Sequence, residues 1–260
     1  MIFLMFLRRL WYYFYEMMQD IKNKNINELL LRDYRIADVL KANGINYCCA
    51  GNATLQSACN RQNLDEKKLI GQLIQSTKDL DISPDLAFEK WKPGFLLDLI
   101  THVHHDYYRL KLPLLLDNLT SFTWGHSQKH PFLQELMDDF VHLAAAIQAH
   151  CGQQEDVIFP YIRQLDNALS GKETYGPLFV RMLRKPLRST SGDDQRIDIL
   201  FDKIRTLSSH YQLPARACPT HRVVYLKLQE LDKNWQAHTW LEETFLLPAA
   251  LEIENRLLQE

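Results

Sequence analysis

The chain has 260 residues, 46% hydrophobic and 11% aromatic, enough for a real core in one large domain or two. Its formal charge of −2 gives no electrostatic reason to expect nucleic acid or an anionic membrane as a partner. Five irregularly spaced cysteines, Cys48, Cys49, Cys59, Cys151 and Cys218, argue against a secreted disulfide scaffold and for a reducing compartment. With only nine glycines and ten prolines, an all-α fold is the natural expectation.

Residues 1–26 are set apart as an N-terminal extension. The apolar run Met1–Leu7 is too short to span a bilayer, so no transmembrane segment is expected. Arginines follow that run and no small-residue cleavage site appears, which argues against a signal peptide. The aromatic run Trp11–Tyr15 has two readings: a segment lying on a membrane surface, or an upstream stretch with translation starting near Met17 or Met18.

Residues 27–82 read as a small helical domain. Asn27 is placed as the N-cap of a first helix, and Asp33 as the cap of a second that Gly44 stops. Thr54 caps a helix through Cys59, and Asp65 another through Thr77. Between them lies Cys48-Cys49. Adjacent thiols make poor ligands for one tetrahedral metal. They close only a strained disulfide, which is labile and redox-active, and a following helix N-terminus would lower a thiol pKa. The competing reading is two small buried residues in a tight turn. Ser83-Pro84-Asp85 and Trp91–Gly94 form the linker to a second domain at 95–255.

That second domain opens with a long helix over 95–122. Its histidines His102, His104 and His105 stand at i, i+2 and i+3, which do not share one face. The stripe Leu97, Thr101, His105, Tyr108, Leu112 turns His105 inward and its neighbours elsewhere. Pro131 opens a second helix that runs to about Asn167. A third starts at Gly176-Pro177, is broken near 185–194 by Pro186, and resumes from Asp194 to His210, a surface residue. The fourth starts after Pro219 and is ended by Pro248.

Two matching stretches carry the chemistry. His238 and Glu242 continue the stripe Val224, Leu228, Leu231, Trp235, His238, Glu242, Phe245, which has the period of a buried helix face. A buried imidazole and carboxylate one turn apart need a partner. Either they bond to each other, or a metal such as iron, zinc or manganese satisfies both. His150 sits likewise on Leu136, Phe140, Leu143, Ile147, His150, Gln154. Both stretches run from His through Glu at +5 and three apolar residues to Pro at +10, which suggests a pseudo-symmetric bundle with a central site. Glu242 is matched by Gln154, a poor metal ligand.

Over residues 27–255 these marks resemble, in order, the bacterial repair-of-iron-centres family, di-iron proteins of iron–sulfur cluster repair. The run Asn46-Tyr-Cys-Cys-Ala-Gly-Asn-Ala-Thr-Leu with Ala58-Cys59 looks like the family's double-cysteine domain. His105-Asp106, His150, Phe159-Pro160, Gly176-Pro177, Ala217-Cys218 and His238-x-x-x-Glu242 look like its haemerythrin-like up-down four-helix bundle. The resemblance implies iron held by four histidines and two bridging glutamates, with damaged iron–sulfur proteins as partners. It further implies a cytoplasmic location and a homodimer. Carried over, His105, His150, His238 and Glu242 are metal ligands, and Cys48 and Cys49 handle redox chemistry or transferred iron. The remaining glutamate is Gln154 here; the third-helix histidine falls on Lys185 and the next aspartate on Pro186. Three outcomes follow: two irons with Glu155 and water substituting; one metal at His105, His238 and Glu242, joined or not by His150; or a metal-poor binding or stress-regulatory protein, with Lys185 paired to Glu242. Glu155, at i+5 from His150, can substitute only if the helix bulges.

Overall fold

The computed structural model describes residues 19–47, 52–78, 86–171, 178, 180, 187 and 191–259. Among them all regular structure is helical, apart from one isolated bridge between Asn25 and Thr54. The chain divides into two compact units, one of residues before 83 with Leu213–Leu226, the other of Ser83–Gln212 with Lys227–Glu260.

Among the described residues, the N-terminal unit has a helical segment over 19–23 and the helices α1 (Ile26–Arg32), α2 (Ile36–Ala42), α3 (Leu55–Gln62) and α4 (Glu66–Ser76). Side-chain caps fix most of their starts. Thr54 accepts from the Ser57 amide and Asp65 from the Lys68 amide, as the sequence predicts. The first helix differs: Asn25, not Asn27, accepts from the Glu28 amide. Asp33 lies outside α2 and binds the Arg35 amide instead. Gly44, at φ +72°, ends α2 in the left-handed conformation that glycine tolerates. Leu30, Leu40, Leu55, Cys59, Leu69 and Ile70 meet in the core, joined by Val223.

Among the described residues, the larger unit holds four helical rods in a bundle. Rod one is α5 (Pro93–Leu99), a π-helical turn (Ile100–His105) and α6 (Asp106–His126). Rod two is α7 (Phe132–Gln153), a π turn (Gln154–Ile158) and α8 (Phe159–Leu169). Rod three is α9 (Ser191–Leu207). Rod four is the part of α10 (Pro219–Leu241) from Lys227 on, a π turn (Glu242–Leu246) and α11 (Leu247–Gln259). Helix α7 packs on α6 and α9, and α8 packs on α5 and α11.

Pro248 therefore does not end the fourth helix. The core face past Glu242 runs through Leu246 and Ala250, not Phe245, so that His238, Glu242, Leu246 and Ala250 are all buried although each step is four residues. Such a step overshoots an α-helical turn by about 40°, so three in succession would leave the core face of a regular helix. A π turn closes through i→i+5 bonds and absorbs the drift. The Leu247 amide reaches the Glu242 carbonyl and the Phe159 amide reaches the Gln154 carbonyl. Pro160 and Pro248 come next in each rod. Their rings would crowd the carbonyl four residues back in a regular helix, and the widened turn relieves that contact.

The end of α9 is held by a polar cluster. Ser209, His210 and Tyr211 all have positive φ, near 50–61°. Left-handed backbone costs a non-glycine residue about 1–2 kcal/mol. Buried Asp232 offsets this by taking both Arg205 Nε and Nη2, at 2.7 and 2.6 Å, and the Tyr211 hydroxyl at 2.8 Å. Replacing Asp232 with alanine leaves Arg205 and Tyr211 without their acceptor and should cost about 2–4 kcal/mol in denaturant unfolding. A loss below about 0.5 kcal/mol, the range of ordinary surface changes, would mean that the cluster does not hold the turn.

Candidate metal centre

The three π turns lie where the polar side chains enter the bundle. His105 ends the first, Gln154 begins the second and Glu242 begins the third. His105, His150, Gln154, His238 and Glu242 are all 2% exposed or less.

Three of these converge. His150 Nε2 and His238 Nε2 are 3.1 Å apart. Glu242 Oε2 lies 3.4 Å from His238 Nε2 and 3.9 Å from His150 Nε2. A triangle with these edges has a circumscribed radius of about 2.0 Å, which matches metal–nitrogen and metal–oxygen bonds of about 2.0–2.2 Å. Among the described residues, Glu242 Oε1 and His238 Nδ1 have no hydrogen-bond partner, and neither has the nearby Tyr108 hydroxyl. Each such buried group costs about 1–3 kcal/mol. The set of two imidazoles and a carboxylate, compact and under-satisfied, fits a single divalent ion.

Protonation agrees with that chemistry. Burial pushes His150 down to about 4, with His238 adding to the shift and Glu242 opposing it. Burial also holds His238 well below the usual histidine range, helped by His105 and His104. Both imidazoles are neutral at pH 7, as ligands must be. Burial raises Glu242, partly countered by His150 and Gln154. A cation beside it would favour the ionised form.

The surroundings orient this triad. Asp194 of α9 is buried, with Oδ1 3.1 Å from His150 Nδ1. The two atoms are within ion-pair reach but outside hydrogen-bond geometry, so Asp194 places a carboxylate behind the ring, on the side away from the centre. Trp235 stacks on His238 at 5.2 Å between ring centres and donates its Nε1 hydrogen to Asp198. Phe159 stacks on His105 at 5.4 Å.

His105 stands beside the triad. Its Nε2 meets Gln154 Oε1 at 3.0 Å and its Nδ1 meets Glu155 Oε1 at 2.6 Å. Gln154 Nε2 then donates to Glu242 Oε2 at 2.6 Å. The second helix does bulge at Gln154–Ile158, and Glu155 does reach His105. It meets the ring's outer nitrogen, where Arg109 also binds it. Burial alone would raise Glu155, but Arg109 and His105 hold it below the usual range.

One sequence expectation is corrected. His104 does not point away: it is 5% exposed, with Nδ1 3.0 Å from Asn234 Oδ1. The π turn brings consecutive histidines inward, which regular helical spacing forbids. Asp194, Arg109 and Asn234 were not legible as site residues. Asp194 lay at the edge of a predicted break, where a facing histidine on another helix leaves no local signal. Cys48, Cys49, Lys185, Pro186 and Gly176-Pro177 lie outside the described residues.

Comparison with known proteins gives the same direction. Residues 22–77 match the ScdA_N family, described as a domain of unknown function (DUF542). Similar proteins include the iron-sulfur cluster repair protein YtfE of Yersinia pestis (strain Pestoides F), 25% identical over 89% of this chain and 98% of its own. The iron-sulfur cluster repair protein ScdA of Staphylococcus haemolyticus (strain JCSC1435) is 26% identical over 87% and 97%. YtfE of Salmonella choleraesuis (strain SC-B67) is 26% identical over 88% and 97%. Among the described residues no helix is long and apolar enough to cross a membrane.

The placement of Asp194 behind His150 gives a direct expectation. Asp194→Asn should weaken metal affinity about 10–100-fold in competition with a chromophoric chelator, as removal of outer partners of metal-bound histidines does. An affinity equal to that of the unsubstituted chain would remove Asp194 from the account. Along nearly its whole length the chain is similar to proteins named for iron-sulfur cluster repair, and its residues 22–77 match the ScdA_N family.

Proposed function

We propose that this protein binds iron in its helical bundle and serves the repair of iron–sulfur clusters damaged by nitrosative or oxidative stress. The observation that carries the reading is the closure of His150, His238 and Glu242 onto one point, inside a chain whose relatives are named iron-sulfur cluster repair proteins. Two imidazoles and a carboxylate suit ferrous iron and leave coordination positions open. Bound iron would supply a redox centre or a source of iron for a depleted cluster.

The protein's own residues do the rest. His150 and His238 are neutral rings at pH 7, so neither carries a positive charge that loading would have to displace. Asp194 places a carboxylate within ion-pair reach of the outer nitrogen of His150. Gln154 donates to Glu242 Oε2 and limits how that carboxylate swings. The stacked Trp235 and Phe159, with buried Tyr108, wall the centre with apolar surface. Cys48 and Cys49 are proposed, on their sequence alone, to handle the transferred iron or a nitrosylated species. Damaged iron–sulfur proteins in the cytoplasm are the proposed partners, and no residue implies enzymatic turnover.

The test is reconstitution. Protein loaded with ferrous iron without oxygen is mixed with an iron–sulfur enzyme inactivated by nitric oxide or peroxide. Recovery should exceed that given by the same free iron, and Glu242→Gln should abolish the excess. Recovery no better than free iron would favour the alternative, a metal-poor binding or stress-regulatory protein.

A further inference from the structure

The geometry points to a centre for one metal ion per chain, held by His150, His238 and Glu242, with Gln154 closing the place where a second ion would sit. The inference rests on the metal reading above and sets its stoichiometry.

A second ion beside the first needs ligands and negative charge. His105 is the nearest remaining imidazole, but Gln154 Oε1 faces its Nε2 at 3.0 Å. An amide oxygen only accepts, so that nitrogen carries the hydrogen and offers no lone pair. The amide orientation is fixed from the other end, where Gln154 Nε2 donates to the Glu242 carboxylate at 2.6 Å. One side chain thus spans from His105 to Glu242 along the line a bridging carboxylate would take. His105 is held from behind as well, by Glu155, which Arg109 engages in turn. His104 is directed to Asn234.

Charge decides in the same direction. Two divalent ions about 3.5–4 Å apart are stable only when carboxylates lie between and around them. Glu242 is the one carboxylate among the described residues that reaches the centre. Asp194 is behind His150 and Glu155 is behind His105. A neutral amide offsets none of the repulsion, whereas a single ion with one carboxylate is an ordinary composition.

Metal-free protein is dialysed without oxygen against excess ferrous iron, and separately against cobalt(II), and bound metal per chain is measured by elemental analysis. One ion per chain is expected with either metal. Two would overturn this inference and leave the metal reading standing; none would overturn the metal reading itself. Gln154→Glu supplies the missing carboxylate and frees His105 Nε2, so its content should rise from one toward two. A folded Gln154→Glu protein still holding one would show that Gln154 is not what closes the second place, and would overturn that assignment.

Discussion

The structure depends on how a fully buried carboxylate is tolerated. Glu242 is 1% exposed, and only one of its oxygens finds a hydrogen-bonding side chain, the Gln154 amide. A carboxylate sealed in apolar surroundings is expensive unless it is paired or bound to metal. Everything packed around it reads as a response to that cost. Two neutral imidazoles close on it, an amide donates to it, and an aspartate on a third rod lies within ion-pair reach of one of the imidazoles from behind. Replacing the polar cluster with leucines would make a better core, so its presence argues for a ligand.

The π turns make this arrangement geometrically available. A straight α-helix cannot hold buried residues at three successive four-residue steps, because the stripe drifts around the axis. Rods two and four need those steps to carry a histidine, the residue four later, and the apolar residues beyond it on one face. The extra residue in each π turn supplies the rotation. The same device in rod one brings both His104 and His105 inside, where one was expected. Pro160 and Pro248 sit where the ladder is already disturbed, so neither breaks its rod.

Much of the bundle was legible because burial imposes a period. The stripes from Leu136 to Gln154 and from Val224 to Glu242 are buried, while Phe245, read as the next member, is only partly buried and Leu246 takes the core position. The caps at Thr54 and Asp65 follow from local hydrogen bonding, which sequence records directly. The continuation past Pro248 was not legible from the proline alone. Three consecutive four-residue steps spanning each proline, His150 to Ile162 and His238 to Ala250, were the available sign of a wider turn. The outer partners were harder still. Asp194 and Asn234 act through contacts across the bundle, and long-range pairings leave no mark in one sequence. The choice between His105 and His150 for the triad depended on which ring nitrogen meets Gln154, a matter of tertiary geometry.

The most direct test of a metal-bearing centre is thermal stability with and without metal. Ferrous iron in about hundredfold excess over its dissociation constant should stabilise the folded chain by about 2.7 kcal/mol. For a domain of this size that is a rise in Tm on the order of 5–10 °C. The rise should be absent from a chain in which His238 is replaced by alanine. An unchanged Tm in the unsubstituted protein, under conditions that keep iron ferrous, would contradict the account and leave the buried His–His–Glu cluster as a purely structural feature.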